Sequence, residues 1–114
     1  MQLKEVWDKI YNDLSVEFSN VKKDIYKKLN FSTETLPIIY VYPFEEEVER
    51  YGINQVVNSI SFVITGKCTD FDELETTKNK VVEILLNQPY INDGLIIDFD
   101  ISDNFFSISA KFKN

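Results

Sequence analysis

The stretch LIIDFDISDNFFSISAKF, residues 95–112, decides the fold. Leu95, Ile97, Phe99 and Ile101 recur at every second position, and Phe106, Ile108, Ala110 and Phe112 do the same after a short polar break. A period of two places each set on one face of a β-strand, and Ser102-Asp103-Asn104 suits a hairpin turn. Strands are therefore expected at about 95–101 and 105–112, with these two rows forming much of the core. Upstream, VVNSISFVITGKC (56–68) alternates in the same way: Ile60, Phe62 and Ile64 point to one side, and Ser59, Ser61 and Thr65 to the other. This predicts a strand over 56–67 with one wet or interfacial face.

Two segments carry the helical period instead. Leu3, Trp7, Ile10, Leu14, Phe18, Val21, Ile25 and Leu29 recur at steps of three and four, predicting one amphipathic helix over about 2–29. At about 1.5 Å per residue it would be roughly 40 Å long, with Ser19-Asn20 as its natural breaking point. TDFDELETTKNKVVEILLNQP predicts a second helix over about 70–87. Thr69 or Asp70 is its candidate N-cap, Phe71, Leu74, Val81 and Leu85 its buried face, and Pro89 its stop. NFSTET reads as a polar loop, and PIIYVYP as a strand over about 37–42 ended by Pro43, which has no N–H for a sheet ladder. The fold class is therefore α+β: a single domain over 1–114, order α-β-β-α-β-β, with two helices on a four-stranded, largely antiparallel or mixed sheet.

With 114 residues, 44% hydrophobic and 27% charged, the chain has the size and composition of one globular domain. Nineteen acidic against twelve basic residues give a formal charge of −7, the opposite of what gripping nucleic-acid phosphates requires. All basic residues but Arg50 are lysines, and Lys22, Lys23, Lys27 and Lys28 read as a solvated helix face. The single cysteine, Cys68, allows no intrachain disulfide and fits a reducing compartment. The opening MQLKEVWDKIYND lacks the apolar core of a signal peptide, and no segment approaches the roughly 20 apolar residues that span a bilayer. The chain is expected to be soluble, and Asn30-Phe31-Ser32 is then a coincidental glycosylation pattern.

The absence of histidine removes the usual general base, the commonest metal ligand and the Ser-His and Cys-His dyads. Cys68 reads as a strand-end or core residue rather than a nucleophile. Asp98, Asp100 and Asp103 are hard oxygen donors, but the central Gly and terminal Glu of a calcium loop are missing. The same carboxylates form no marked glycosidase pair, and the three isolated glycines build no phosphate-cradling loop. No catalytic, cofactor-binding or metal-ligating residue is assigned, and an enzyme is not expected. What stands out is Glu45, Glu46, Glu47 and Glu49, followed by Arg50 and Tyr51. Its plain reading is a solvated loop or short helical turn. Its functional reading is a charged surface that faces a channel or a subunit interface, because charges this dense need water, a basic partner or something to repel.

The order of an N-terminal helix, LPIIYVYP with its acidic continuation and YG, SISFVITGKC, a helix opening DFDELE, VVEILLNQP and a C-terminal hairpin resembles the tail-terminator and related neck proteins of long-tailed bacteriophages. The resemblance spans nearly the whole chain. It implies a mixed sheet flanked by helices and a homo-oligomeric ring, commonly a hexamer, that caps the tail tube. Tail tube protein and a head-side connector protein would be its partners, DNA would pass through without specific binding, and the virion, after assembly in the host cytoplasm, would be its location. An acidic lumen would let a polyanion pass without sticking. The alternatives are another head-tail connector, such as a stopper or head-completion protein, and an acidic immunity or inhibitor module steered onto a basic partner.

Overall fold

The computed structural model describes residues 2–26 and 34–113. Helix α1 (Leu3–Glu17) is followed by strands β1 (Val21–Lys22), β2 (Ile38–Tyr51) and β3 (Gln55–Lys67). Helix α2 (Phe71–Leu86), β4 (Ile91–Asp100), a 3-10 turn (Ile101–Asp103) and β5 (Phe105–Lys113) complete the domain. The sheet order is β1-β2-β3-β5-β4, with β1 parallel to β2 and every other pair antiparallel. The α+β class and the mixed sheet are as expected, but the described residues form five strands rather than four.

The extra strand comes from the segment assigned to the end of a long first helix. That helix stops at Glu17, because Phe18 adopts an extended conformation (φ −126°). At about 1.5 Å per residue it spans roughly 22 Å. Asn20 then serves the sheet: its carbonyl accepts from the Ile39 amide at 2.9 Å, and its side-chain amide donates to the Thr35 carbonyl at 2.8 Å. Val21 continues the helical spacing in sequence but lies beside Ile39 as a parallel strand. Lys27, Lys28 and Leu29 of the expected helix, and most of the NFSTET loop, lie outside the described residues.

Pro43 does not end β2 as expected, and the strand runs eight residues further. Its partner is Phe62, and a register shift at Pro43/Glu45 inserts Phe44 as a bulge. On an edge strand a missing N–H directed away from the neighbour costs no ladder bond, so proline is tolerated there. β1 pairs only with Ile39 and Tyr40, which leaves Pro43 on such an edge.

The core lies between the helices and one face of the sheet. Val6, Ile10 and Leu14 from α1 and Leu74, Val81 and Leu85 from α2 close over Ile39, Val41, Ile60, Phe62, Ile64, Phe106, Ile108 and Phe112. Asp70 caps α2 as expected, accepting from the Glu73 amide at 2.9 Å, while the Glu73 carboxylate accepts from the Thr69 amide at 2.8 Å. The two helices are tied at their ends by Gln88, which donates to Asp13 at 2.8 Å and to the Ile84 carbonyl at 3.1 Å.

The β5 row expected to be buried is buried throughout. The β4 row is not: Leu95 and Ile97 are half-buried, whereas Phe99 and Ile101 are 50% and 62% exposed. Phe71, assigned to the buried face of α2, is 50% exposed, and Thr77 takes a buried position on that face. These three outliers adjoin one another at the same end of the domain. No helix among the described residues is long and apolar enough to cross a membrane.

Candidate functional site

The acidic patch is neither a loop nor a helical turn. It forms the distal half of β2, where strand alternation sorts it onto two faces. Glu45, Glu47, Glu49 and Tyr51 pair with Ser61, Ser59, Val57 and Gln55 and share the face turned away from the helices. Glu46, Val48 and Arg50 pair with Ile60, Asn58 and Val56 on the opposite face. The six candidate residues are therefore contiguous along one strand but do not form one surface.

β5 ends its pairing with β3 at Ser59, so residues 48–58 form a two-stranded ribbon beyond the body of the sheet. The molecule is correspondingly elongated, with extents of 52 × 24 × 20 Å. Val48, Tyr51, Ile53 and Val56 are all more than half exposed on this ribbon, Ile53 reaching 84%. The turn at its tip is Gly52-Ile53-Asn54, with Gly52 at φ +71°, a left-handed conformation that glycine adopts without steric cost. Arg50 secures the turn: its guanidinium donates to the Gly52 carbonyl at 3.3 Å and to the Ile53 carbonyl at 3.2 Å. The Tyr51 hydroxyl donates to the Glu49 carboxylate, which raises the phenol above its usual pKa.

Electrostatics on the outer face follow from the spacing of its carboxylates. Glu45 and Glu47 are two residues apart on one side of a strand. The hydrogen bond between them raises Glu45 above the ordinary glutamate value and lowers Glu47 below it. Lys111, one strand beyond Ser61, reaches over to place its ammonium 3.5 Å from Glu47 Oε1, and small serines on β3 leave it room. Lys113 meets Asp93 at 3.4 Å on the same side. The outer face near the ribbon base is thus an exposed carboxylate row bordered by two lysines.

Other candidates resolve differently. Cys68 is 1% exposed, and burial, only partly offset by a hydrogen bond from Thr77, pushes its thiol up to about 11. That is the opposite of an activated nucleophile. Asp98 and Asp100 lie on the outer face of β4, and the Asp100 carboxylate accepts from Ser102 at 2.7 Å. Among the described residues, no group of three or more His, Cys, Asp or Glu side chains is placed to hold a metal ion.

Sequence reasoning missed one surface entirely. Phe71, Glu75 and Lys78 from α2, with Phe99 near the end of β4 and Ile101 just past it, line an apolar groove of about 200 Å³. The Lys78 ammonium lies 5.9 Å from the Phe99 ring centre. Periodicity assigned its aromatic residues to the core, since period alone does not tell a core from a groove. At the opposite end, Ile53 is an aliphatic residue in a turn, where small and polar residues are the norm.

Comparison with known protein families and with curated protein sequences finds no match to this chain.

Proposed function

We propose that this protein is a structural assembly subunit, specifically a tail terminator of a long-tailed bacteriophage. In this reading it closes into a homo-oligomeric ring on the tail tube and presents a docking surface to a head-side connector protein. One observation carries the assembly reading: a ribbon extends past the sheet with Val48, Ile53 and Val56 in solvent. A two-stranded hairpin is marginally stable in water by itself, and contiguous apolar surface of this kind marks interaction sites. The terminator assignment adds the family resemblance and the acidic outer face, which would line a path for DNA without trapping it.

Because alternation separates Glu46 from its neighbours, the informative variant is Glu45→Lys with Glu47→Lys and Glu49→Lys, which inverts one face only. All three side chains lie on the outer face, so the monomer is expected to fold unchanged while phage titre, or capping of purified tail tubes, drops. An unaltered titre would remove the channel-facing role. The second reading, an acidic inhibitor steered to a basic partner, draws on the same face. It requires a wild-type chain that stays monomeric or dimeric in light scattering at every concentration, whereas the ring reading requires a larger closed species.

A further inference from the structure

Exposed apolar side chains stand at both ends of the molecule: Val48, Ile53 and Val56 on the ribbon, and Phe71, Phe99 and Ile101 at the other end. The ribbon tip is a projection built from Ile53, Arg50 and Tyr51. The groove of Phe71, Phe99 and Ile101 is a recess at the far end of the sheet. The register requires this separation: Phe99 pairs with Phe106, which pairs with Gly66, which pairs with Ile39 near the start of β2, whereas the tip follows Tyr51 at its end. With its tip and its recess so far apart, the tip of one copy cannot reach its own groove.

We propose that the ribbon tip of one copy seats in the Phe71–Phe99–Ile101 groove of the next, a head-to-tail contact that deepens, and rests on, the ring reading above. Shape supports it, since an apolar cavity of about 150 Å³ already admits a benzene ring, and the groove offers about 200 Å³ to an isoleucine side chain. Charge supports it as well. Arg50 is the sole arginine of the chain and is held beside Ile53 by two carbonyl contacts. The groove carries Glu75 and Lys78 on its walls, with Asp72 in the same first turns of α2, so Arg50 would meet Glu75 and Asp72 while Glu49, held beside Tyr51, would meet Lys78. An arginine and a tyrosine flanking an aliphatic knob, facing aromatic walls, is the composition of an interface hot spot. A contact between two different surfaces of one chain is heterologous, and it closes into a ring when the rotation per copy permits.

The test uses the full chain with Ile53→Asp at the tip and Ile101→Asp in the groove, both at exposed positions that the fold tolerates, with circular dichroism as the folding check. Mass is measured by analytical ultracentrifugation for the wild type, for each variant, and for a one-to-one mixture. The expected result is a ring for the wild type, monomers for each variant alone, and a heterodimer in the mixture, because each variant retains the end its partner lacks. A mixture that stays monomeric overturns the pairing of these two surfaces. A ring that persists in both variants overturns this contact and leaves the ring reading standing. A wild type that is monomeric throughout overturns both.

Discussion

Gly66 lies directly beneath the ring of Phe106, its cross-strand partner: a Cβ built on Gly66 would stand 2.2 Å from Phe106 Cε1 and 2.4 Å from Cζ. The ring is fully buried in the core and cannot swing aside. A glycine in a central strand is normally a cost, and here its missing side chain is the space the aromatic occupies.

Gly66→Ala is therefore expected to overpack the core and destabilise the domain by about 1–3 kcal/mol. For a domain of this size each kcal/mol corresponds to a fall of roughly 4–8 °C in Tm. Adding Phe106→Leu should recover part of that loss, giving a favourable coupling in a double-mutant cycle. Strictly additive effects would show that the two residues do not share the space.

Trp7 donates its indole N–H to the Val41 carbonyl at 3.0 Å, on the β2 edge just past the reach of β1. This bond fastens α1 to the sheet and occupies an acceptor that would otherwise be unpaired at a buried position. Lys23 lies 4.7 Å above the same ring and pairs with Asp8. Trp7→Phe keeps most of the apolar contact and removes the donor, so urea denaturation should show a loss of about 1 kcal/mol, up to 3 if the carbonyl stays dry.

Asp70→Ala removes the side chain that caps α2 and breaks the reciprocal arrangement with Glu73. The expected cost is about 1 kcal/mol, with Asp70→Asn or Asp70→Ser close to neutral by comparison. Chemical denaturation of the three variants at neutral pH checks the order.

The buried Cys68 thiol, raised to about 11 from an ordinary value of 9.0, gives a pH prediction with a definite sign. The folded state holds this proton more tightly than the unfolded chain. Its contribution is complete below pH 9 and is lost as pH rises toward 11. Stability should fall across that interval, and Cys68→Ala should flatten the slope. A disulfide reagent at pH 8 should label the thiol only as fast as the protein opens; immediate labelling would contradict its burial.

Amide exchange should divide β3 in two. Ile60 to Gly66 are held between two neighbouring strands under both helices, whereas Val56 to Asn58 have β2 as their sole strand partner. In the monomer the ribbon amides should exchange well ahead of the central ones, because they open without disturbing the core.

Much of this architecture was legible in order and spacing. Alternation in 56–67 and 105–112 identified β3 and β5, whose inward rows are buried, and Asp70 with its following acids marked the start of α2. These signals are local: a strand buried on one face and a capped amphipathic helix write their period directly into adjacent residues. Val21, by contrast, fitted the helical period of α1, and only the parallel pairing with Ile39 made it a strand. Pro43 looked like a stop until the sheet order left it on an open edge, and the acids after it looked like a loop until β3 paired with them. Phe71, Phe99 and Ile101 had the spacing of core residues, but whether such a face is covered depends on where neighbouring elements end. Which residues repeat with which period, and hence most of the elements, follows from local order. Edges, ends and exposure follow from the packed fold, because they depend on partners distant in the chain. The ribbon tip and the groove, from which assembly is argued, are features of this second kind.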